Sequence, residues 1–196
     1  GNAGRWKEAA EFYRLASELS STKEQQRQYE LSQMEALVSS SNIRAVADRA
    51  RTLDTHKPDM WRDSLLGYLA IHQGRRNEAL SRLDNALLDH SAPNQTRAQL
   101  ASYKALAEIA NWNLPGVIEA AEDAAKWGGP TSEPALSAGY IATVADSAIN
   151  GTYTEIYFQP GESPVLAQRR HMVSGWIKLA NDDPISARQE LQQLPR

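Results

Sequence analysis

The sequence predicts an all-α protein, a right-handed α-solenoid of stacked antiparallel helix pairs with about five to six partly degenerate repeats. Two observations support this prediction. Apolar side chains recur at the spacing of one helix face along most of the chain, and a short pattern that begins with a turn residue occurs three times. Such repetition is typical of proteins in which each helix pair completes its core against the next.

The repeated pattern begins at Gly4, at Gly74 and, in a weaker copy, at Asp182. It continues with a small, a large and a small or apolar side chain, all on one side of a helix. Because small side chains allow close approach, the pattern predicts helices that pack against copies of themselves. Its members are Ala9, Tyr13 and Ala16; Ala79, Leu83 and Ala86; and Ala187, Leu191 and Leu194.

The composition sets limits on the class of protein. The chain has 196 residues, 41% hydrophobic and 23% charged, which is ordinary for a globular or repeat protein. A net charge of −3 provides no basic field for nucleic acid or an anionic membrane. The longest apolar runs are too short to span a bilayer, so we expect a soluble protein, cytoplasmic or periplasmic. The absence of cysteine excludes disulfides and thiol catalysis but leaves the compartment open.

Five helices are predicted in the amino-terminal half, each separated from the next by polar or turn residues. Thr22, with Gln25 three residues later, forms a capping box that begins the second helix. Asn42 caps the third helix, and Gly74 ends the fourth. The predicted ranges are 5–20, 23–39, 43–53, 59–73 and 77–89.

Five more helices are predicted in the carboxyl-terminal half. Pro115 fits the first turn of a helix, and a serine or aspartate stands before the prolines that begin the last two helices, as in Ser163-Pro164 and Asp183-Pro184. The predicted ranges are 97–111, 115–127, 133–150, 164–181 and a final helix from 184 onward.

The chain is predicted to form a single domain over 1–196. It begins directly in the second half of a repeat, which indicates a fragment of a longer protein. Residues 150–163 interrupt the repeats, and 151–161 carry an alternation that favours a strand. We favour a loop with a helical turn, because no partner strand is visible; a shortened helix and an edge strand remain alternatives.

The repeats carry a further register. Leu66-Gly67 precedes Gly74 by seven residues, and Ser174-Gly175 precedes Asp182 in the same way. With the small residues that follow each turn, this spacing resembles the tetratricopeptide repeat family, as does the segment that begins at Gly4, which matches the second helix of such a repeat. The resemblance implies a concave face lined by the first helix of every pair, on which an extended peptide or a partner helix commonly binds.

From this resemblance we expect a non-catalytic protein–protein interaction module, serving as an assembly, scaffold or adaptor domain. Side chains of the types enriched at interfaces project to the predicted concave face. The candidate binding residues are Arg27, Glu30, Met34, Trp61, Ser64, Tyr68, His72, Arg169, Met172 and Trp176. Trp6, Tyr29 and Tyr103 fit the core better, and Trp or Tyr at helical spacing lies in a core more often than at a binding surface.

The alternative is a helical sensor or regulatory domain that binds a small molecule, saccharide or lipid between its helices; the aromatic residues of 153–158 favour it. No acids, bases or nucleophiles cluster as in an active site, so we expect no enzyme. The four histidines are scattered, and we expect no metal and no cofactor. A homo-oligomer is a further expectation, because the Trp6 and Phe12 face at the uncapped end needs cover.

Overall fold

A computed structural model describes residues 2–40, 42–54, 60–152 and 163–194. Within these ranges the chain forms ten α-helices and no β-strand, which confirms the predicted all-α class. The helices are α1 (Asn2–Leu19), α2 (Lys23–Ser39), α3 (Ile43–Asp54), α4 (Met60–His72), α5 (Arg76–Leu87), α6 (Asn94–Ala110), α7 (Leu114–Gly128), α8 (Glu133–Asn150), α9 (Pro164–Ala180) and α10 (Pro184–Leu191). The predicted bounds agree with these to within three residues.

The predicted caps begin the helices. The Thr22 hydroxyl accepts a hydrogen bond from the Gln25 amide at 3.2 Å, and the Asn42 side chain accepts one from the Ala45 amide at 3.3 Å. Ser132, Ser163 and Asp183 act in the same way at the starts of α8, α9 and α10. Each cap satisfies an amide that has no partner inside its own helix, so these local sequences fix where the helices begin.

Neighbouring helices pack in pairs along the chain. Close contacts join α1 to α2, α4 to α5, α6 to α7, α7 to α8 and α9 to α10. Alternate helices also meet, because α2 contacts α4, α4 contacts α6 and α6 contacts α8, whereas α8 contacts α9 directly. The helices α2, α4, α6, α8 and α9 therefore form one row of neighbours.

The turns within three helix pairs share one geometry. Gly74, Trp112 and Asp182 have φ angles of 71°, 58° and 59°, in the left-handed region. The residue after each turn donates a backbone hydrogen bond to the carbonyl five residues earlier, at 2.9–3.0 Å. The α4–α5, α6–α7 and α9–α10 hairpins therefore reverse in the same way, although only the first uses the glycine that this conformation favours.

Three hairpins are also joined by side-chain pairs in a common register. Each pair links the first helix to the second, and its partners lie nineteen residues apart in the sequence. The pairs are Glu30–Arg49 at 3.1 Å, Asp63–Arg82 at 2.9 Å and His171–Glu190 at 2.6 Å. This regularity was not predicted, and it relates the α2–α3, α4–α5 and α9–α10 hairpins more directly than their apolar residues do.

The glycines of the sequence resemblance lie where two helices approach most closely. A Cβ atom added at Gly67 would lie 2.9 Å from Leu83 Cγ, and one added at Gly175 would lie 2.7 Å from Leu191 Cδ2. Ala79, Leu83 and Ala86 have no exposed surface, so the predicted close packing is confirmed in the α4–α5 pair.

Two apolar clusters form the core. The first surrounds α4 and includes Leu65, Leu69, Leu83 and Leu100. The second lies among α6 to α9 and includes Val117, Ile141, Val173 and Ile177. At the amino-terminal end, Phe12 is 65% exposed and Leu19 is 85% exposed, so part of the face expected to need cover is open to solvent.

The predicted insert lies mostly outside the described residues. Helix α8 ends at Asn150, and Gly151 has a left-handed φ of 69°. Residues 153–162 are not described, so the alternatives of loop, helix and strand for 151–161 remain predictions. Over the described ranges, no helix has the length and apolar character needed to cross a membrane.

Candidate functional site

A central cavity of about 370 Å³ lies among α2, α4, α6, α8 and α9. Each of these five helices contributes side chains to its wall. The polar and aromatic residues of the wall are Glu35, Tyr68, His72, Gln99, Ser102, Tyr103, Glu133, Ser137, Gln168 and Arg169; Val38, Pro134, Met172 and Leu194 complete it. Its size is within the range of small-molecule sites in proteins.

Glu35 of α2 provides a carboxylate on one side of the central cavity. The Tyr103 hydroxyl donates a hydrogen bond to Glu35 Oε1, and Gln99 Nε2 donates to the same oxygen at 3.4 Å. Burial raises the pKa of Glu35, whereas the Tyr103 hydrogen bond opposes this change. The carboxylate therefore takes part in a polar network that joins α2 to α6.

Arg169 of α9 provides the positive charge of the central cavity. Its Nε donates a hydrogen bond to Ser137 Oγ at 3.3 Å, which joins α9 to α8. Burial lowers the pKa of Arg169, and the nearby acidic groups, Glu35 among them, work in the opposite direction. An arginine guanidinium is not deprotonated in proteins at neutral pH, so the cavity holds a permanent cation.

Three rings form one wall of the central cavity. The centroids of Tyr68 and Tyr103 are 4.5 Å apart, and His72 meets Tyr68 edge-on at 4.7 Å. Burial raises the pKa of both tyrosines. Burial also lowers the pKa of His72 to about 4, and the charge of Arg169 adds to this effect. His72 is an exposed residue, and with its pKa lowered to about 4 its imidazole is neutral at pH 7.

Four of the residues predicted to bind a partner line the central cavity. Tyr68 and His72 come from α4, and Arg169 and Met172 come from α9, more than ninety residues away in the sequence. The structure therefore brings these two predicted sets together in one site.

Three other predicted residues lie in the core and do not line the central cavity. Met34 and Trp61 are 1% and 5% exposed, and Ser64 is fully buried with its hydroxyl donating to the Met60 carbonyl at 2.6 Å. The reason is that neighbouring helices cover α4 on most sides, including its first turns. On α2 the wall is formed by Glu35 and Val38. The face of α2 that lines the cavity therefore differs from the predicted face, which contains Arg27, Glu30 and Met34.

The remaining predicted residues also lie away from the central cavity. Arg27 stacks over the Trp61 ring at 5.6 Å, and Glu30 pairs with Arg49. Trp176 is 37% exposed and lines a second, mostly apolar groove of about 550 Å³. That groove lies among α6, α8 and α9 and also includes Trp112, which is 66% exposed.

Several wall residues were not proposed from the sequence. Tyr103 was assigned to the core; its side chain is 2% exposed, but its hydroxyl reaches Glu35. Gln99 precedes Tyr103 by four residues, and Ser137 follows Glu133 by four, so each pair shares a helix face. That spacing is a sequence signal for these wall residues, whereas the candidate binding residues predicted from the sequence include none on α6 or α8.

No group of three or more metal-ligating side chains occurs in the part of the chain that the structure describes. The chain matches no protein-family model, no curated protein and no solved structure in the comparisons made. The central cavity is therefore the feature of this chain that bears on its function.

Proposed function

We propose that this chain is a non-catalytic interaction module, a tetratricopeptide-like α-solenoid that binds a partner peptide on the concave surface of its first helices. One observation carries the proposal: α2, α4, α6, α8 and α9 all contribute to a single cavity. Of the described wall residues, only Leu194, which follows α10, lies outside these five helices.

The repeated hairpin geometry supports the solenoid. Gly74, Trp112 and Asp182 turn the chain with the same backbone hydrogen bonds, and three hairpins carry a side-chain pair at the same separation. Equivalent hairpins stacked side by side produce a curved body, and curvature leaves the first helices on the inner side.

The chemistry of the wall supports a peptide as the partner. Tyrosine, methionine and arginine are enriched at the centres of protein interfaces, and Tyr68, Met172 and Arg169 lie on this wall. An extended peptide can place one or two side chains in a cavity of this size while its backbone follows the helices.

A peptide display library selected on this chain tests the proposal. We expect selected peptides to bind His72→Ala about tenfold more weakly, because His72 lies on the wall and reaches solvent. His90→Ala is the matched control, since His90 lies on an exposed loop outside the cavity. Fluorescence polarisation measures both affinities. Equal weakening by the two substitutions, or none by His72→Ala, contradicts the proposed surface.

A second candidate function is a helical sensor that binds a small molecule between its helices. The observation that favours it is the polar character of the cavity, which is lined by the guanidinium of Arg169 on α9 and the carboxyl group of Glu35 on α2. A rise in melting temperature with a defined small molecule, without any peptide, distinguishes this function from the first.

A further inference from the structure

The guanidinium of Arg169 has hydrogen-bond donors that no described residue accepts from. Its Nε is used by Ser137, whereas neither terminal Nη atom has a hydrogen-bond acceptor, and no carboxylate lies within 4.0 Å, over the ranges that the structure describes. Two parallel N–H groups on one planar fork match the two oxygens of a carboxylate. The wall therefore presents a site for one carboxylate at Arg169.

One oxygen of the Glu35 carboxyl group, Oε2, accepts no hydrogen bond from the described residues. Both of its hydrogen bonds, from Tyr103 and Gln99, arrive at Oε1. No donor reaches Oε2 among the described residues. A carboxylate oxygen in this state is suited to an ammonium group, and Glu133 of α8 adds a second negative charge to the same cavity.

The Arg169 guanidinium and the Glu35 carboxyl group are not in direct contact. In the described part of the chain, Arg169 and Glu35 form no ion pair within 4.0 Å, although each affects the pKa of the other. Both residues line the cavity, together with the rings of Tyr68, Tyr103 and His72. Arg169 repels a ligand that carries only a positive charge, and the Glu35 carboxylate repels a ligand that carries only a negative charge. The cavity therefore disfavours both kinds of ligand.

We propose that the central cavity binds a small zwitterion, a free α-amino acid, with its carboxylate on the Arg169 fork and its ammonium on Glu35 Oε2. The side chain of the amino acid then packs against Tyr68, Tyr103 and Met172. This inference rests on the second candidate function, ligand binding between the helices, and it names the chemical class of that ligand.

Calorimetric titration of the full chain with each of the twenty common L-amino acids tests the proposal. We expect one or more to bind with one-to-one stoichiometry. For a ligand such as L-phenylalanine, 3-phenylpropanoate lacks the ammonium and phenethylamine lacks the carboxylate. Each analogue is expected to bind at least about tenfold more weakly, because each leaves one charged group of the cavity unpaired.

Variants of the two charged groups have matched controls on the same helices. Arg169→Gln and Glu35→Gln are each expected to weaken binding at least about tenfold. Arg170→Gln removes the same charge from the next residue of α9, and Glu24→Gln removes one from the exposed first turn of α2; neither lines the cavity, and both are expected to bind normally. Where Arg169→Gln does not fold, Arg169→Lys keeps the charge and loses the two-pronged geometry.

Three outcomes overturn the inference. The first is that no amino acid binds at about 10 mM. The second is that an analogue with one charged group binds as well as the zwitterion. The third is that the Arg170 or Glu24 control weakens binding as much as its partner variant. A chain that binds selected peptides but no free amino acid retains the proposed interaction function and loses only this inference.

Discussion

The Tyr103 hydroxyl donates a hydrogen bond to Glu35, a residue 68 positions earlier in the sequence, and this bond joins two helices. Tyr103 belongs to α6 and Glu35 to α2, with α4 packed between their hairpins. The bond lies at the wall of the central cavity, where burial disfavours a negative charge. It therefore links the packing of α2 and α6 to the electrostatics of the candidate site.

The first prediction concerns this bond. Tyr103→Phe keeps the ring and removes the donor, so it is expected to lower the free energy of unfolding by about 1.5–3 kcal/mol, the range for a hydrogen bond to a charged group. Because that bond lowers the pKa of Glu35, its loss is expected to raise the pKa further. Urea denaturation measures the first effect, and carbon-detected NMR titration measures the second.

Tyr29→Phe is the control for this prediction, because Tyr29 lies on α2, half-buried, with its ring stacked on Tyr13 at 6.5 Å. It is expected to change the free energy of unfolding by less than about 0.5 kcal/mol. A Tyr103→Phe protein as stable as the Tyr29→Phe protein contradicts the role given to the bond.

The helices and their caps could be predicted because their signals are local. Thr22, Ser163 and Asp183 cap the next turn of chain, and a few residues of sequence contain both partners. The close packing of Gly67 on Leu83 was also accessible, since a helix pair with a short turn fixes which residues meet.

The composition of the cavity was only partly accessible from the sequence. Which face of α2 turns inward depends on how its hairpin leans on the next one, and a rotation of one residue exchanges Met34 for Glu35. The burial of Trp61 could not be predicted for a similar reason, because helical spacing does not reveal that neighbouring helices cover α4 on most sides. Trp112 carries no sequence signal for its left-handed turn, since that conformation usually selects glycine.

A second prediction concerns pH. The pKa of His72 is lowered to about 4, below the ordinary value of about 6.5. As the pH falls below 6.5, the unfolded chain takes up a proton at this imidazole and the folded chain does not, so the free energy of unfolding decreases until the pH nears 4. The titratable groups that share the cavity with His72 are Tyr68, Tyr103, Arg169, Glu35 and Glu133.

His72→Gln is expected to flatten the loss of stability between pH 6.5 and 5, above the range where ordinary carboxylates titrate. Urea denaturation at several pH values measures this slope. His90→Gln removes an exposed imidazole outside the cavity and is the control. If the His72→Gln protein loses stability as steeply as the parent over this interval, the environment assigned to His72 is wrong.

A third prediction compares two helical glycines. At Gly67 an added Cβ would lie 2.9 Å from Leu83 Cγ, whereas at Gly139 nothing lies within 4 Å. Gly67→Ala is expected to destabilise the chain by about 1–3 kcal/mol through overpacking. Gly139→Ala is expected to stabilise it by about 0.5–1 kcal/mol, because alanine favours the helix.

Chemical denaturation of the two variants under the same conditions measures both effects. The two stability changes are expected to have opposite signs. This distinguishes overpacking at Gly67 from a general preference for alanine in helices, which would stabilise both variants. Two stable variants would mean that α4 and α5 are farther apart than the structure places them.

The last prediction concerns the shared turn geometry of Gly74 and Asp182. Both have a left-handed φ, and an L-residue with a side chain is disfavoured there by about 1–2 kcal/mol. Gly74→Ala is therefore expected to lower the free energy of unfolding by about 1 kcal/mol or more, and Asp182→Gly to leave it unchanged or raise it by up to about 1 kcal/mol. Denaturant titrations of both variants measure these changes. A Gly74→Ala protein of full stability would show that the α4–α5 turn does not hold the left-handed conformation, and the equivalence of the hairpins on which the solenoid proposal depends would lose its main support.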